Sequence, residues 1–453
     1  MSVKLIFSFD SEDYETPASD DAEKWWAGAM RQAGLPAATC VVGELARALR
    51  DRGRQDVLAA MRELEVAYHS DMHSAHPTHA EYLDAMSWDE GLAAVLTREA
   101  RGLADVTHIL GDRPVAYCKP GSSWGPQVAA AMPMLGVPVF CDAPFELAPG
   151  RPLWYDNCLF LCYHLSFDRY FDVPREQRLT LMQTDLLRAR DRHEGGYLVM
   201  YTHPCRLVTS AFPDNFRSGA NPPREMWRPA PLRPQDEVTA LQEDFEAFLR
   251  WVSRDADLEL CTYAELYRRH RMEPTPWIRL DELLDICSQL PEKPTYVRAE
   301  SEWLTPAELF GLVVRAVAQR VRDGRTPDAV PVRRLLGPKH SPCRARNEGA
   351  LTNEAVGQAA IAADRLCSEG YLPAAVPLGG GEVGPNAFMR TCIDLLTGRR
   401  PSLRALPEMP ALADRQDIAE MRFQGSWSIF PPEFRGENVL QMARLHTWAA
   451  KPA

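Results

Sequence analysis

The chain has 453 residues, of which 45% are hydrophobic and 25% charged, with a formal net charge of −11; that is an ordinary globular make-up, too long for one small core, so two domains are expected. The acidic balance excludes a protein held on nucleic acid by phosphate contacts, and no run approaches the ~18 apolar residues of a membrane span. The 11 cysteines are odd in number and lack CxxC spacing, which predicts reduced thiols; with no secretory leader in the opening residues, the expected compartment is the cytoplasm.

Residues 4–9 form a short apolar run that reads as a first buried strand. It leads directly into Asp10-Ser11-Glu12-Asp13, three carboxylates that a buried strand end tolerates only if they are paired or bind a metal. Residues 37–42, 65–69, 114–118, 137–141, 197–202 and 258–262 read as further strands. They are apolar without strict alternation, as strands covered on both faces should be. Amphipathic stretches at 88–109, 175–193 and 235–253 separate them, and Gly34 and Gly136 sit where helix C-caps belong. About seven such units predict a distorted (β/α) barrel of parallel strands with helices outside, and catalytic residues at the C-terminal strand ends.

Four of those strand ends carry chemistry. After the acidic loop comes His69-Ser70-Asp71-Met72-His73. Two histidines four apart reach one ion, and with an acidic residue they make a two-histidine, one-carboxylate set suited to Zn, Fe, Co or Mn. His76 and His79 are expected to lie outside it. Cys118-Lys119-Pro120-Gly121 and Trp124 follow the fourth strand, where Lys119 is available to an anionic group and the turn borders the pocket. His203-Pro204 closes the sixth strand. The segment 212–234, rich in proline and containing Trp227, is long for a structureless loop and reads as a lid or substrate wall, or as a surface excursion. Residues 147–163 read as a loop.

A linker with a short helix is expected over 271–296, separating residues 1–270 from a mainly helical accessory domain over 297–453. There the pattern of helix, glycine, proline-fixed turn and short extended piece recurs, from Leu304 to Pro338 and from Leu351 to Pro385, with a period of roughly 46 residues. A last helix is expected over 437–448. These units resemble pseudomurein-binding repeats. They are expected either to pack on the catalytic domain or to dock a partner, a glycan or a second copy of the chain.

From Val3 to Leu266 the order of acidic loop, paired histidines, proline-glycine turn and late histidine resembles the polysaccharide-deacetylase (NodB-homology) family. So does the second-strand stretch Leu35–Gly43. The resemblance implies a distorted barrel and metal-dependent hydrolysis of an acetamido or related C–N amide bond. By position it implies Asp10 as base, His203 as acid, and His69 and His73 as metal ligands with Asp13, Glu12 being the alternative. A divalent ion, zinc first, is expected, and, read from the residues themselves, Lys119, Pro120, Gly121, Trp124 and Trp227 are expected to bind substrate. Two departures stand out. Cys118 occupies the place of the arginine that orients the base, and lysine beside it is no equivalent. The His203-Pro204 ending is similar to members acting on small amides, including the allantoinase-like branch. The rival readings are a cyclic-amide hydrolase and a non-catalytic carbohydrate-binding module.

Overall fold

The structure is a computed structural model that describes residues 2–216, 222–344 and 348–453. Its centre is one curled sheet of 11 strands. The strands are β1 (Val3–Ser11), β2 (Ala38–Val41), β3 (Glu65–Tyr68), β4 (Ala116–Cys118), β5 (Val139–Cys141), β6 (Leu153–Tyr155), β7 (Cys158–Leu161), β8 (Leu165–Ser166), β9 (Tyr197–Thr202), β10 (Leu258–Leu260) and a last strand, Ala450–Pro452. From β7 to β8 the order is β7-β5-β4-β3-β2-β1-β9-β8, parallel throughout, with β10 parallel to the start of β1. The sheet curls into a half-barrel with helices outside, the α/β barrel class expected from the sequence. No helix among the described residues is long and apolar enough to cross a membrane.

The alternation of strand side chains explains the two faces. On the inner face, Ile6, Ala38, Cys40, Ala67, Ala116, Cys118, Val139 and Cys141 pack together; these are small or medium side chains, as a tightly curled interior requires. On the outer face Phe7 and Phe9 pack with Trp26, Phe167 and Phe245 beneath the helices Ser19–Ala33 and Gln235–Val252. The helix Trp88–Leu110 starts with a Ser87/Glu90 capping box and ends at Gly111 with φ 88°. A residue with a Cβ would be strained at that left-handed position.

The segment 147–163 is not a loop. It contains the hairpin β6–β7, turned by Asp156 and Asn157 at φ 50° and 62°, the backbone of a two-residue primed turn. The accessory region packs helices Pro306–Asp323, Asn353–Cys367 and Pro385–Leu396 together. The first is capped by Thr305 and Glu308 and ends at Gly324. The tail departs from a plain helix over 437–448. It is helical over Glu437–Leu445, then a tight turn, then the strand Ala450–Pro452, which pairs antiparallel with β6. His446 is fully buried there, stacked on Trp88 at 3.9 Å and bonded to Asp156 at 2.8 Å. The C-terminal residues therefore supply an edge strand of the main sheet. All 11 cysteines are free thiols.

Candidate active site

Period-two alternation along β1 sends Phe7, Phe9 and Ser11 to one face and Ser8, Asp10 and Glu12 to the other, toward the barrel mouth. Ser11 accordingly bonds outward to Glu23 and Thr39. Glu12 meets the histidine loop. Its Oε2 lies 2.9 Å from His73 Nε2 and 3.5 Å from His69 Nε2, and the two rings are 4.7 Å apart. His69 Nδ1 donates to Cys118 O at 3.0 Å, which leaves the lone pair on Nε2. Both Nε2 atoms are buried, and neither makes a hydrogen bond. Buried ring nitrogens without partners are costly, whereas two imidazole lone pairs and a carboxylate converging on one point fit a divalent ion. The ligand atoms of Glu12, His69 and His73 all lie within 4.8 Å of one another.

Electrostatics agree with this grouping. Burial would raise Glu12, but His73, His203 and His69 outweigh it and hold the carboxyl well below its usual range. A proton competes for the same point as an ion: burial opposes protonation of His69, but Glu12 and Asp10 prevail and lift it to about 9. The histidine loop is held in shape from outside. Ser70 and His73 take φ values of 66° and 49°, strained for residues other than glycine. Ser70 Oγ accepts from His73 N at 3.0 Å, Arg47 pairs with Asp71 at 2.7 Å, and Glu99 accepts from Asp71 N at 3.0 Å.

Asp13, the ligand favoured from the sequence, is not in this group. Its carboxylate accepts from Ser19 Oγ at 2.7 Å and from the backbone of Glu15 and Thr16 at 3.1 and 3.0 Å. The strand has ended by residue 13, so alternation no longer aims the side chain inward, and the turn takes the carboxylate to cap itself. Glu12 takes the position instead.

Asp10 lies beside the set. Burial pushes it up to about 7, with His69 and His203 pulling the other way. Where an arginine was expected to orient it, Tyr163 OH donates to Asp10 Oδ1 at 2.7 Å and Cys118 Sγ approaches at 3.6 Å. His203 Nε2 is 3.8 Å from both Asp10 and Glu12. Its Nδ1 bonds to Asp168, whose other oxygen accepts from His203 N at 3.1 Å and Thr202 Oγ1 at 2.8 Å. Burial alone would lower His203, but Asp168, Glu12 and Asp10 more than offset it and hold the imidazole well above its ordinary value. His203 is thus held in a fixed orientation by Asp168.

The expected substrate wall divides. Pro120 and Gly121 form a turn at the mouth, closed by Ser123 N donating to Pro120 O at 2.9 Å. Lys119 is not available to an anionic group: Nζ is tied to Asp142 and to Gly121 O. Trp124 is a core residue, 3% exposed and packed edge-on against Phe140, Tyr155 and Phe160. Trp227 stands on Tyr14, ring centroids 6.1 Å apart. Of the segment 212–234, residues 217–221 lie outside the described residues; Phe212 sets its ring edge-on to His203 at 4.8 Å. His79 is bonded to Glu99 at 2.9 Å and His76 to Glu81 at 2.8 Å, both away from the ligand group.

Sequence reasoning missed Tyr163, Asp142, Asp168 and Trp427. Trp427 comes from the accessory region, with its ring edge-on to His73 at 5.4 Å. Asp168 follows a strand of two residues, too short to leave a periodic signal. A second glutamate with two histidines also lies in the barrel: Glu146, His164 and His193, again with ligand atoms within 4.8 Å of one another. Here Val199 N donates to His164 Nδ1 at 2.9 Å, and His164 Nε2 faces Glu146 at 3.2 Å. His193 Nδ1 bonds to Ala189 O at 2.7 Å.

No protein-family model and no curated protein matches the chain. Solved structures do. A family 4 carbohydrate esterase from Streptomyces lividans is 13% identical, with a TM-score of 0.31, covering 58% of this chain and 91% of its own. Puue allantoinase is 12% identical, with a TM-score of 0.38, covering 60% and 91%. A 4-alpha-glucanotransferase from Thermococcus litoralis is 13% identical, with a TM-score of 0.42, covering 72% and 47%. At these scores the likenesses assign neither a family nor an activity, and function has to be read from the residues at the barrel mouth.

Proposed function

We propose that the chain is a metal-dependent hydrolase of C–N amide bonds that N-deacetylates an acetamido sugar or a related small substrate. One observation carries the reading. Two buried imidazole nitrogens without hydrogen bonds converge with Glu12 on one point, directly beside a buried carboxylate and a histidine oriented by Asp168. A carbohydrate-binding module has no use for that combination.

Glu12, His69 and His73 would hold the ion, zinc first among Zn, Fe, Co and Mn. Once bound, such an ion supplies Lewis-acid polarisation of a carbonyl and a water of lowered pKa. The chain's own groups do the rest. Asp10 accepts the proton of the attacking water, with Tyr163 fixing Oδ1 so that Oδ2 faces the site. His203, kept charged by Asp168, gives a proton from Nε2 to the leaving nitrogen as the C–N bond breaks. Each transfer is worth about 10²–10⁴ in rate.

The test is metal content of the purified full chain, with acetate and ammonia release from a panel of N-acetyl sugars and small cyclic amides. Near-stoichiometric zinc with acetate release is expected. Ammonia or ring opening without acetate would move the reading to the cyclic-amide class, and failure to retain any divalent metal would overturn it.

A further inference from the structure

The accessory region reaches the active site. Phe423, Phe430 and Phe434 pack on one another, and the Trp427 ring meets Phe430 edge-on at 5.7 Å. This aromatic knot is seated on the barrel at the turn after β4. Ser122 Oγ donates to Ser426 O at 3.0 Å. A Cβ on Gly121, at φ 50°, would come within 2.4 Å of the Trp427 ring. The adjoining helix Glu437–Leu445 is anchored at its start, where Asp84 accepts from Asn438 N at 2.9 Å. Trp427 is nevertheless only partly buried. A large aromatic held by its neighbours, set edge-on to His73 and not fully buried, is suited to meet a ligand.

We propose that Trp427 is a specificity-determining residue of this site. Resting on the hydrolase reading, the inference names the substrate class. The Trp427 knot stands against His73 and Gly121 and walls that side of the site, so the site takes a single acetamido sugar or a chain end rather than the interior of a glycan. The indole face supplies a stacking surface for the pyranose C–H groups.

The experiment uses the zinc-loaded full chain with N-acetylglucosamine and chitopentaose as probes. Equilibrium binding by calorimetry and acetate release are measured for the wild type, Trp427→Phe, Trp427→Leu and Trp427→Ala. The wild type is expected to prefer the monosaccharide. In Trp427→Ala and Trp427→Leu that preference should fall by about tenfold, through KM and binding more than through kcat, while zinc content stays constant. Trp427→Phe should restore most of it. An unchanged preference in both Trp427→Leu and Trp427→Ala, or no binding of either sugar by the wild type, would overturn the inference. A shift in binding without acetate release in any protein would uphold the wall and defeat the hydrolase reading, so the two fail separately.

Discussion

Among the described residues, Glu12, His69 and His73 at the barrel mouth match Glu146, His164 and His193 elsewhere in the barrel in composition and in the closeness of their ligand atoms. They differ in what their nitrogens are doing. In the first set a carbonyl takes the Nδ1 proton of His69, and both Nε2 atoms are left without hydrogen bonds. In the second, a backbone N–H occupies His164 Nδ1, which forces the proton onto Nε2 and turns that atom into a donor to Glu146. Only His193 Nε2 keeps a free lone pair, since its Nδ1 donates to Ala189. Burial holds His193 below its ordinary value, in keeping with a neutral ring. Hydrogen-bond direction, not residue type or spacing, separates a cation site from a satisfied polar cluster.

The comparison breaks most decisively at the ligands themselves. His69→Ala/His73→Ala should lose bound zinc and more than about 10⁴ in activity, whereas His164→Ala/His193→Ala should keep both; metal analysis of the two double variants decides. Next in size, Asp10→Asn and His203→Ala should each retain zinc and lose about 10²–10⁴ in kcat. In the wild type the rate should rise with pH as Asp10 ionises, at or below about 7 given the burial that lifts it. Asp168→Asn should cost roughly 10–100-fold. Asp168 is the largest influence raising His203, so removing it lowers that pKa; the acid is then lost at lower pH, and the alkaline limb of the kcat profile should move down the pH scale. An unmoved limb would remove His203 from the acid role. The smallest effects on turnover belong to Asp13→Ala and His164→Ala. Each strips hydrogen bonds from buried partners and should lower stability by about 1–3 kcal/mol, seen as a reduced denaturation midpoint, with zinc content unchanged.

The same contrast shows how far the sequence could be read. The seven parallel strands were legible as short apolar runs, and Asp10, Glu12, His69, His73 and His203 all follow the ends of such runs. Choosing between Glu12 and Asp13 required knowing that β1 extends to Ser11, so that alternation aims residue 12 inward. The hairpin Leu153–Leu161 was missed although Asp156-Asn157 between two aromatic or apolar triplets is a turn signal. With it went Tyr163 and Asp168, which depend on where that hairpin returns the chain. Lys119 was misjudged because its partner, Asp142, comes from the next strand end, and ion pairs between strands leave no local pattern. Trp427 could not be found from sequence, since its role depends on docking a region some 350 residues away from His73, a contact of high order.

The strand Ala450–Pro452 has a consequence for synthesis. Its neighbour His446 meets Asp156 across 290 residues, and at a ribosomal pace of ~5–20 residues per second the hairpin β6–β7 waits on the order of tens of seconds for that partner. Through that interval β6 offers an unpaired backbone edge flanked by Trp154 and Tyr155, the kind of surface that recruits other chains. A chain ended before Ala450 is expected to leave that edge bare and to aggregate before any change in chemistry at the barrel mouth, which sedimentation of the truncated protein would check.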